Sequence, residues 1–255
     1  MPQTRITRLN TSLALVSLCA ITGSTLAVDP HFSLVNTIAE INAITVPIEQ
    51  YTGQHDVMTG GVSVGDFNID GWPDLYIPGL GSVPDMLFIN QQDGTFEDQA
   101  ASWGIDRLHM GQGSAVGDVN NDGLPDLYVQ SFGPADQQAQ PGHALLYINQ
   151  GPDAMGNWTF SEEAEQRGVN RVMTIVAGKG AAFGDVDLDG DLDLFAATWQ
   201  FTPGADGNRL FENNGNGYFT NISDEALPEP PFALRGFTPK IVDVTGDRYP
   251  DLLLT

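Results

Sequence analysis

The chain has 255 residues, of which 41% are hydrophobic, and this predicts one domain or one array of small units around a buried core. It carries 33 acidic and 10 basic residues, so its formal net charge is −23. Phosphate backbones and anionic lipid surfaces would repel such a chain, so nucleic acid and acidic membrane surfaces are disfavoured as partners.

The first segment of the chain has the order of a secretory signal peptide. Arg5 and Arg8 precede an apolar run at 13–20, and small residues then lead to Ala27. The apolar run is too short to cross a bilayer, and no second, longer run follows, so no membrane span is expected. We predict a signal peptide at 1–27, cleaved near Ala27, and a secreted or periplasmic mature protein.

Cys19 is the only cysteine, and it lies inside the predicted signal peptide. A lipid anchor on Cys19 is the alternative to cleavage, but Leu18 stands where a small residue normally precedes a modified cysteine. The mature chain at 28–255 is therefore expected to lack disulfides. Another kind of cross-link would have to stabilise it outside the cell.

One pattern occurs four times along the chain, starting at Gly61, Gly113, Gly180 and Thr238. Each copy has an apolar strand, a nine-residue loop rich in aspartate, and a second apolar strand. After the first three copies come a third strand ending in asparagine, a glycine-rich turn and a fourth strand led by phenylalanine. Four-stranded units in series predict an all-β fold, a β-propeller of four-stranded blades.

The first copy shows the strand boundaries that we expect. The first strand contains residues 62–64, the second 75–77 and the third 86–90. The fourth begins near Phe96, after the dipeptide at 93–94, Asp-Gly, which favours a tight hairpin.

The ends of the array predict a partial propeller. A segment from Phe32, FSLVNTIAEINAI, resembles a fourth strand, and the chain stops at Thr255 directly after a second strand. We expect about four blades, the last one incomplete, in a chain shortened from a larger ring.

The first copy also contains GVSVG around Ser63, which matches the G-x-S-x-G nucleophile elbow of α/β-hydrolases. In the other copies Ser63 aligns with Ala115, Ala182 and Lys240, and an aspartate loop follows instead of a helix. We interpret Ser63 as a small strand residue and assign no catalytic residue.

The four loops, at 66–74, 118–126, 185–193 and 243–251, share the pattern D-x-[D/N/T]-x-D-x-x-x-D. Calcium takes six to eight oxygen ligands, which side chains at loop positions 1, 3, 5 and 9 and the backbone carbonyl at position 7 can supply. Loop by loop, the predicted Ca²⁺ ligands are Asp66, Asn68, Asp70, Trp72 and Asp74; Asp118, Asn120, Asp122, Leu124 and Asp126; Asp185, Asp187, Asp189, Asp191 and Asp193; Asp243, Thr245, Asp247, Tyr249 and Asp251.

We expect three calcium sites and a weaker fourth. In the fourth loop Arg248 replaces the glycine of position 6, and Thr245 is a poorer donor. An EF-hand is excluded because it needs glutamate at position 12, where this chain has Ile77, Val129, Ala196 and Leu254. Simple aspartate-rich turns are the competing interpretation, which the fourfold recurrence disfavours.

The loops with their flanking strands resemble FG-GAP/VCBS repeats, the calcium-loop blades of integrin α-chain propellers. The phrases TGGVSVGDFNIDGWPDLY and LFINQQDGTFEDQAASWGI are especially similar to the cartilage acidic protein (ASPIC) group. The resemblance covers 32–255 and implies a secreted calcium-binding propeller, with seven blades in the typical relative and a further C-terminal domain in the ASPIC group. The chain departs in having fewer blades, no such domain, and Ile-Pro-Gly at 77–79 in place of Gly-Ala-Pro.

Two classes of function remain open. The first is a non-catalytic extracellular binding or adhesion scaffold, whose partner is an unknown extracellular protein or glycan contacted by inserts such as 131–142 and 202–208. The second is a secreted enzyme or carbohydrate-binding module that acts on an extracellular polymer. It would need exposed tryptophans that stack on sugars, whereas we interpret the three candidates as core or blade-interface residues: Trp103, Trp158 and Trp199.

The sequence contains no clear catalytic constellation. The histidines lack metalloprotease spacing, and we expect each to be a surface or turn residue: His31, His55, His109 and His143. An uncommitted pair of carboxylates beside solvent-facing aromatic rings would favour the enzyme, and its absence would favour the scaffold.

Overall fold

The computed structural model describes six stretches of the chain: 61–79, 83–131, 142–173, 177–199, 207–227 and 236–255. The predicted signal peptide and the strand predicted from Phe32 lie outside the described residues, as do His31, His55 and most of the two long inserts.

The described residues form sixteen strands and two one-turn helices. In chain order they are β1 (Ser63–Gly65), β2 (Asp74–Ile77), β3 (Met86–Asn90), β4 (Phe96–Asp98), α1 (Ala100–Trp103), β5 (Gly111–Gly117), β6 (Asp126–Ser131), β7 (Gly142–His143), β8 (Leu145–Pro152), β9 (Trp158–Glu162), β10 (Val172–Met173), β11 (Ala177–Gly184), β12 (Asp193–Trp199), β13 (Arg209–Asn213), β14 (Phe219–Asn221), α2 (Ser223–Ala226), β15 (Pro239–Val242) and β16 (Asp251–Leu254).

Three four-stranded antiparallel sheets follow one another along the chain. Their strand orders are β1-β2-β3-β4, β5-β6-β8-β9 and β11-β12-β13-β14, and β15 pairs with β16 in a fourth sheet. This arrangement confirms the predicted all-β fold of four-stranded blades with a shorter last blade. The predicted strands of the first blade are also confirmed to within a residue or two.

The second strand of each blade explains why the sheets stack face to face. In β6 the side chains of Leu127 and Val129 join the cluster shared with the first sheet, while Tyr128 joins the cluster shared with the third. Successive strand residues point to opposite faces, so a strand covered on both faces must be apolar throughout. The runs LYI at 75–77, LYV at 127–129 and LFAA at 194–197, each directly after a loop aspartate, meet that requirement.

The hydrophobic core therefore lies between successive sheets. A third cluster, which includes Phe195 and Leu210, packs the third sheet against Ile241 and Leu252 of the fourth. The fourth sheet is more open, and Leu253 is exposed.

The structure adds four short elements that the pattern did not predict. β7 and β10 pair as a small two-stranded sheet beside the second blade. α1 and α2 each follow a fourth strand, and each contributes a buried residue, Trp103 and Ser223 respectively.

Candidate metal centre

The four predicted loops occupy the same place in every sheet. Each connects the first strand of a blade to the second, and the aspartate at loop position 9 is the first residue of the second strand. The repeat in the sequence is therefore a repeat of position in space, with the predicted ligands in the connection between two paired strands and at the first residue of the second strand.

The aspartate at position 1 closes the loop around its own backbone. In the first loop Asp66 accepts hydrogen bonds from the N–H groups of Asp70, at 2.9 Å, and Gly71, at 2.8 Å. Asp118 and Asp185 do the same in the second and third loops. Both oxygens of each carboxylate thus face the inside of a tight turn.

Two residues in each loop have left-handed backbone conformations. At position 4 these are Ile69, Asn121 and Leu188, with φ of 53°, 59° and 66°, and position 6 is glycine in the first three loops. In the fourth loop the residue types are exchanged. Gly246 occupies position 4 with φ 79°, and Arg248 occupies position 6 with φ 77°. The turn therefore forms although Arg248 replaces glycine at position 6. Gly246 adopts the left-handed conformation at position 4 without strain, so only one of the two left-handed residues is strained, as in the other loops.

The aspartate at position 9 ties the loop to the sheet. Asp74 accepts hydrogen bonds from the N–H groups of Phe67 and Asn90, at 2.9 and 2.8 Å, and Asp126 and Asp193 repeat this bonding. Burial, opposed by these bonds, raises the pKa of Asp74 to about 6 and of Asp126 to about 7. Burial also raises the pKa of Asp193. A cation beside these carboxylates would favour the ionised form.

The third loop brings carboxylates closest together. One oxygen each from Asp185, Asp187 and Asp193 lie within 4.8 Å of one another. In the first loop position 3 is Asn68, whose amide donates to Asp70 at 2.9 Å, and the second loop has the same pair. Aspartate at position 3 makes the third loop the most negative of the four.

Positions 5 and 7 are also linked in every loop. The residue at position 7 donates its backbone N–H to the position 5 carboxylate at 2.9 Å, and its own carbonyl is the predicted ligand: Trp72, Leu124, Asp191 and Tyr249. The fourth loop keeps this bond. Asp243 again accepts from two loop N–H groups, those of Gly246 and Arg248.

Ser63 lies where the alignment places it, on a buried strand position. Its hydroxyl oxygen is 2.7 Å from that of Ser114 in the neighbouring sheet. No helix follows Ser63, because the loop at 66–74 begins directly after β1. The nucleophile elbow is therefore absent at this position.

A buried polar cluster lies away from the loops. Asp85, 1% exposed, accepts hydrogen bonds from the Tyr76 hydroxyl and the Gly79 N–H, both at 2.7 Å. His109, only 4% exposed, bonds through Nε2 to the carbonyl oxygen of His143 at 2.8 Å, and its Nδ1 is 4.0 Å from Asp85. The prediction that His109 is a surface or turn residue was wrong, because the residues that cover it are distant in sequence.

Burial shifts the pKa values of these two groups in opposite directions. It raises the pKa of Asp85 to about 7 and lowers the pKa of His109 to about 4, so both groups favour their neutral forms. The folded state then binds the Asp85 proton more tightly than the unfolded state, and this contribution to stability is lost as pH rises from about 4 to about 7. The His109 contribution is lost as pH falls from about 6.5 to about 4.

We therefore expect the stability of the Asp85→Asn variant, measured relative to the wild type, to fall on acidification between about pH 7 and about pH 4. The variant lacks the Asp85 proton that offsets the His109 contribution in the wild type. The loop carboxylates that titrate in the same window, Asp74 and Asp126, contribute equally to both proteins. The difference should approach the one-proton limit, about 1.4 kcal/mol per pH unit. Urea unfolding in steps of pH measures it. Asp106→Asn, an exposed control, should match the wild type, and equal slopes in Asp85→Asn would contradict the assignment.

The tryptophans are less exposed than the enzyme alternative requires. Trp103 is 3% exposed, and its ring stacks on that of Trp158 with centroids 5.6 Å apart. Both line a cavity of about 260 Å³ beside Asp70 of the first loop. Trp199 is half-buried and meets Phe237 edge to face. Trp103 is therefore a core residue, as the interpretation of the tryptophans as core or blade-interface residues predicts, because its helix turns the ring inward.

The carboxylates outside the loops line a different cavity. Asp85, Asp98 and Asp106 border a space of about 380 Å³ whose other described walls are aliphatic. In neither of these two cavities does the structure combine aromatic rings with carboxylates that are free of the loops. The feature that would have favoured an enzyme is not present in either of them.

Comparison with known proteins identifies both a repeat family and individual relatives of this chain. A family model described as FG-GAP-like repeat matches residues 66–129 and 185–254. The chain is similar to Cartilage acidic protein 1 of three species: Mus musculus, with 29% identity over 76% of this chain and 28% of that protein; Homo sapiens, with 28% over 82% and 29%; and Xenopus tropicalis, with 27% over 87% and 31%.

The chain spans less than a third of the length of these relatives. In the part of the chain that the structure describes, no helix has the length and apolar character needed to cross a bilayer.

Proposed function

The chain belongs to the FG-GAP-like repeat family, and from that premise we propose that it is an exported calcium-binding β-propeller protein. We propose that it acts as a non-catalytic extracellular scaffold, in which bound calcium rigidifies the blades and surface loops contact an extracellular protein or glycan. The relatives that it matches are named for cartilage and for their acidity, and this chain shares the acidity.

The single observation that carries the proposal is the convergence of oxygen donors in the loops. Three carboxylates of the third loop lie within 4.8 Å of one another, in a backbone frame that the other loops share. The loop ligands are all oxygen, which suits calcium and disfavours zinc or copper. The residues therefore fit a hard divalent cation, which would supply charge neutralisation and a cross-link between the two strands that each loop joins.

The charge of each loop orders the expected affinities. The third loop holds five aspartates, the first and second hold three each, and the fourth pairs three aspartates with Thr245 and the positive charge of Arg248. Since more negative ligands raise calcium affinity, the third loop should bind most tightly and the fourth most weakly.

The test is a count of bound ions. Equilibrium dialysis of the purified chain against calcium, followed by elemental analysis, should give three tightly bound ions and a fourth at higher concentration. Asp185→Asn should lose one of the three, because it removes a charge from the third loop while the side chain keeps its shape.

The matched control is Asp93→Asn, which makes the same change in an exposed hairpin turn outside the loops. It should bind as many ions as the wild type. A wild-type chain that binds no calcium at millimolar concentration would show that the loops are only turns, and an equal loss in both variants would mean diffuse binding to acidic charge.

A further inference from the structure

Two asparagines connect neighbouring loops across the gap between sheets. Asn149, the fifth residue of β8, donates its side-chain amide to the backbone carbonyl of Phe67 at 2.9 Å. Asn213, the last residue of β13, donates to the carbonyl of Val119 at 2.8 Å. Each acceptor is loop position 2 of the preceding sheet, between the predicted ligands at positions 1 and 3.

Each asparagine is also held by the loop of its own sheet. The backbone N–H of Asn149 donates to Asp126 at 2.9 Å, and that of Asn213 donates to Asp193 at 2.9 Å. Asp126 and Asp193 are the predicted position 9 ligands of the second and third loops. Both asparagines are almost fully buried, so water cannot compete for these hydrogen bonds.

We propose that the calcium loops are energetically coupled in series through Asn149 and Asn213. The inference rests on the proposed calcium binding and adds that the sites are not independent. An ion in the second loop fixes Asp126, Asp126 fixes Asn149, and Asn149 holds Phe67 in the geometry that the first loop needs. Coupling of this kind is reciprocal, so an ion bound in the first loop raises the ion affinity of the second loop by the same factor.

The second and third loops have an additional direct link. The side chain of Asn121, at position 4 of the second loop, donates to the Asp191 carboxylate at 2.8 Å and to the carbonyl of Gly215 at 3.2 Å. Coupling should therefore be stronger between these two loops than between the first and second.

Asn90 supplies a matched control within the chain. It occupies the same strand position in the first sheet, and its backbone N–H donates to Asp74 in the same way. Its side-chain amide donates to Pro73 in its own sheet, at 3.1 Å, and the described residues show no bond from that amide to another sheet. Asn90→Ala therefore removes the local bond without removing a link between loops.

Terbium, a luminescent stand-in for calcium, can report on the first loop alone. Trp72 lies in that loop, and Trp103 and Trp158 line the cavity beside it, so tryptophan excitation should sensitise an ion bound there. Positions 7 of the second, third and fourth loops are Leu124, Asp191 and Tyr249, none of which is a tryptophan, and excitation at the long-wavelength edge of the tryptophan absorption avoids Tyr249.

The experiment disables the second loop and measures the first. Asp118→Asn with Asp122→Asn removes two charges from the second loop and leaves Asp126 and Asn149 in place. We expect the terbium concentration at half-saturation of the first loop to rise about fivefold, within the usual range of coupling between sites. The rise should persist in the Asn90→Ala background and largely vanish in Asn149→Ala. The titration is done at physiological salt concentration, because salt screens the direct electrostatic interaction between the charges of the two loops.

The outcomes distinguish a failure of the coupling from a failure of calcium binding itself. A wild-type chain without sensitised luminescence and without bound calcium would overturn calcium binding, and the coupling with it. Normal terbium binding with the same half-saturation whether or not the second loop is disabled would overturn the coupling alone. A rise that survives in Asn149→Ala would assign the effect to long-range charge and not to the asparagine.

Discussion

Removal of calcium should lower the thermal unfolding midpoint of the chain by about 20 °C or more. A specific site adds roughly 2.7 kcal/mol at a ligand concentration one hundred times its Kd, so three such sites add about 8 kcal/mol. That is comparable with the whole stability of an ordinary domain, about 5–15 kcal/mol. For a chain of this size, each kcal/mol moves the midpoint by about 2–4 °C. Calorimetry in excess calcium and in excess chelator measures the difference.

Two controls separate specific binding from general screening of a chain with net charge −23. Magnesium should raise the midpoint much less than calcium, because it requires near-ideal octahedral geometry and gives up its water reluctantly. Sodium chloride at matched ionic strength should also have a small effect. Equal stabilisation by all three salts would mean that the loops bind cations only diffusely.

Gly113→Ala should destabilise the protein by about 3 kcal/mol, the upper part of the usual range for overpacking. A Cβ atom at Gly113 would lie 2.6 Å from the carbonyl oxygen of Lys179 and 2.7 Å from the Cα of Gly180. Both contacts are to the backbone of the next sheet, which cannot move aside like a flexible side chain. Gly61 and Gly180 make similar close approaches to their own neighbouring sheets. Chemical unfolding in calcium measures the cost.

Gly123→Ala is the comparison for Gly113→Ala. Gly123 lies in the second loop with φ of 87° and has open space around it, so alanine there meets only backbone strain of about 1 kcal/mol. Equal costs for the two substitutions would show that the sheets can separate slightly without loss, and that the close glycine contacts are incidental.

The strands and loops could be predicted because their causes are local. The residues that set β1, the loop at 66–74 and β2 all lie within sixteen positions, and they recur in three further copies. Pairing of β3 with β4 follows from Asp93-Gly94, and Gly94 indeed has a φ of 93°. The ligand assignment itself remains a prediction that the ion count tests.

The features that could not be predicted depend on distant partners. Asn149 meets Phe67 across 82 positions, and Asn213 meets Val119 across 94, so no local pattern signals either bond. The burial of His109 depends in the same way on the carbonyl of His143, 34 positions away. One signal was available in the sequence: in the first three copies the apolar run of the third strand is followed directly or after one residue by asparagine, and that recurrence could have marked the residue as more than a turn former.

The exchange of Gly246 and Arg248 in the fourth loop bears on how such loops are detected in other proteins. The backbone needs two left-handed residues, and glycine can stand at either of them. A search profile that demands glycine at position 6 would score this loop as degenerate and overlook similar ones. A profile that accepts glycine at position 4 or 6, with aspartate at 1, 5 and 9, would recover all four copies, and divergent arrays would be counted with the correct number of units.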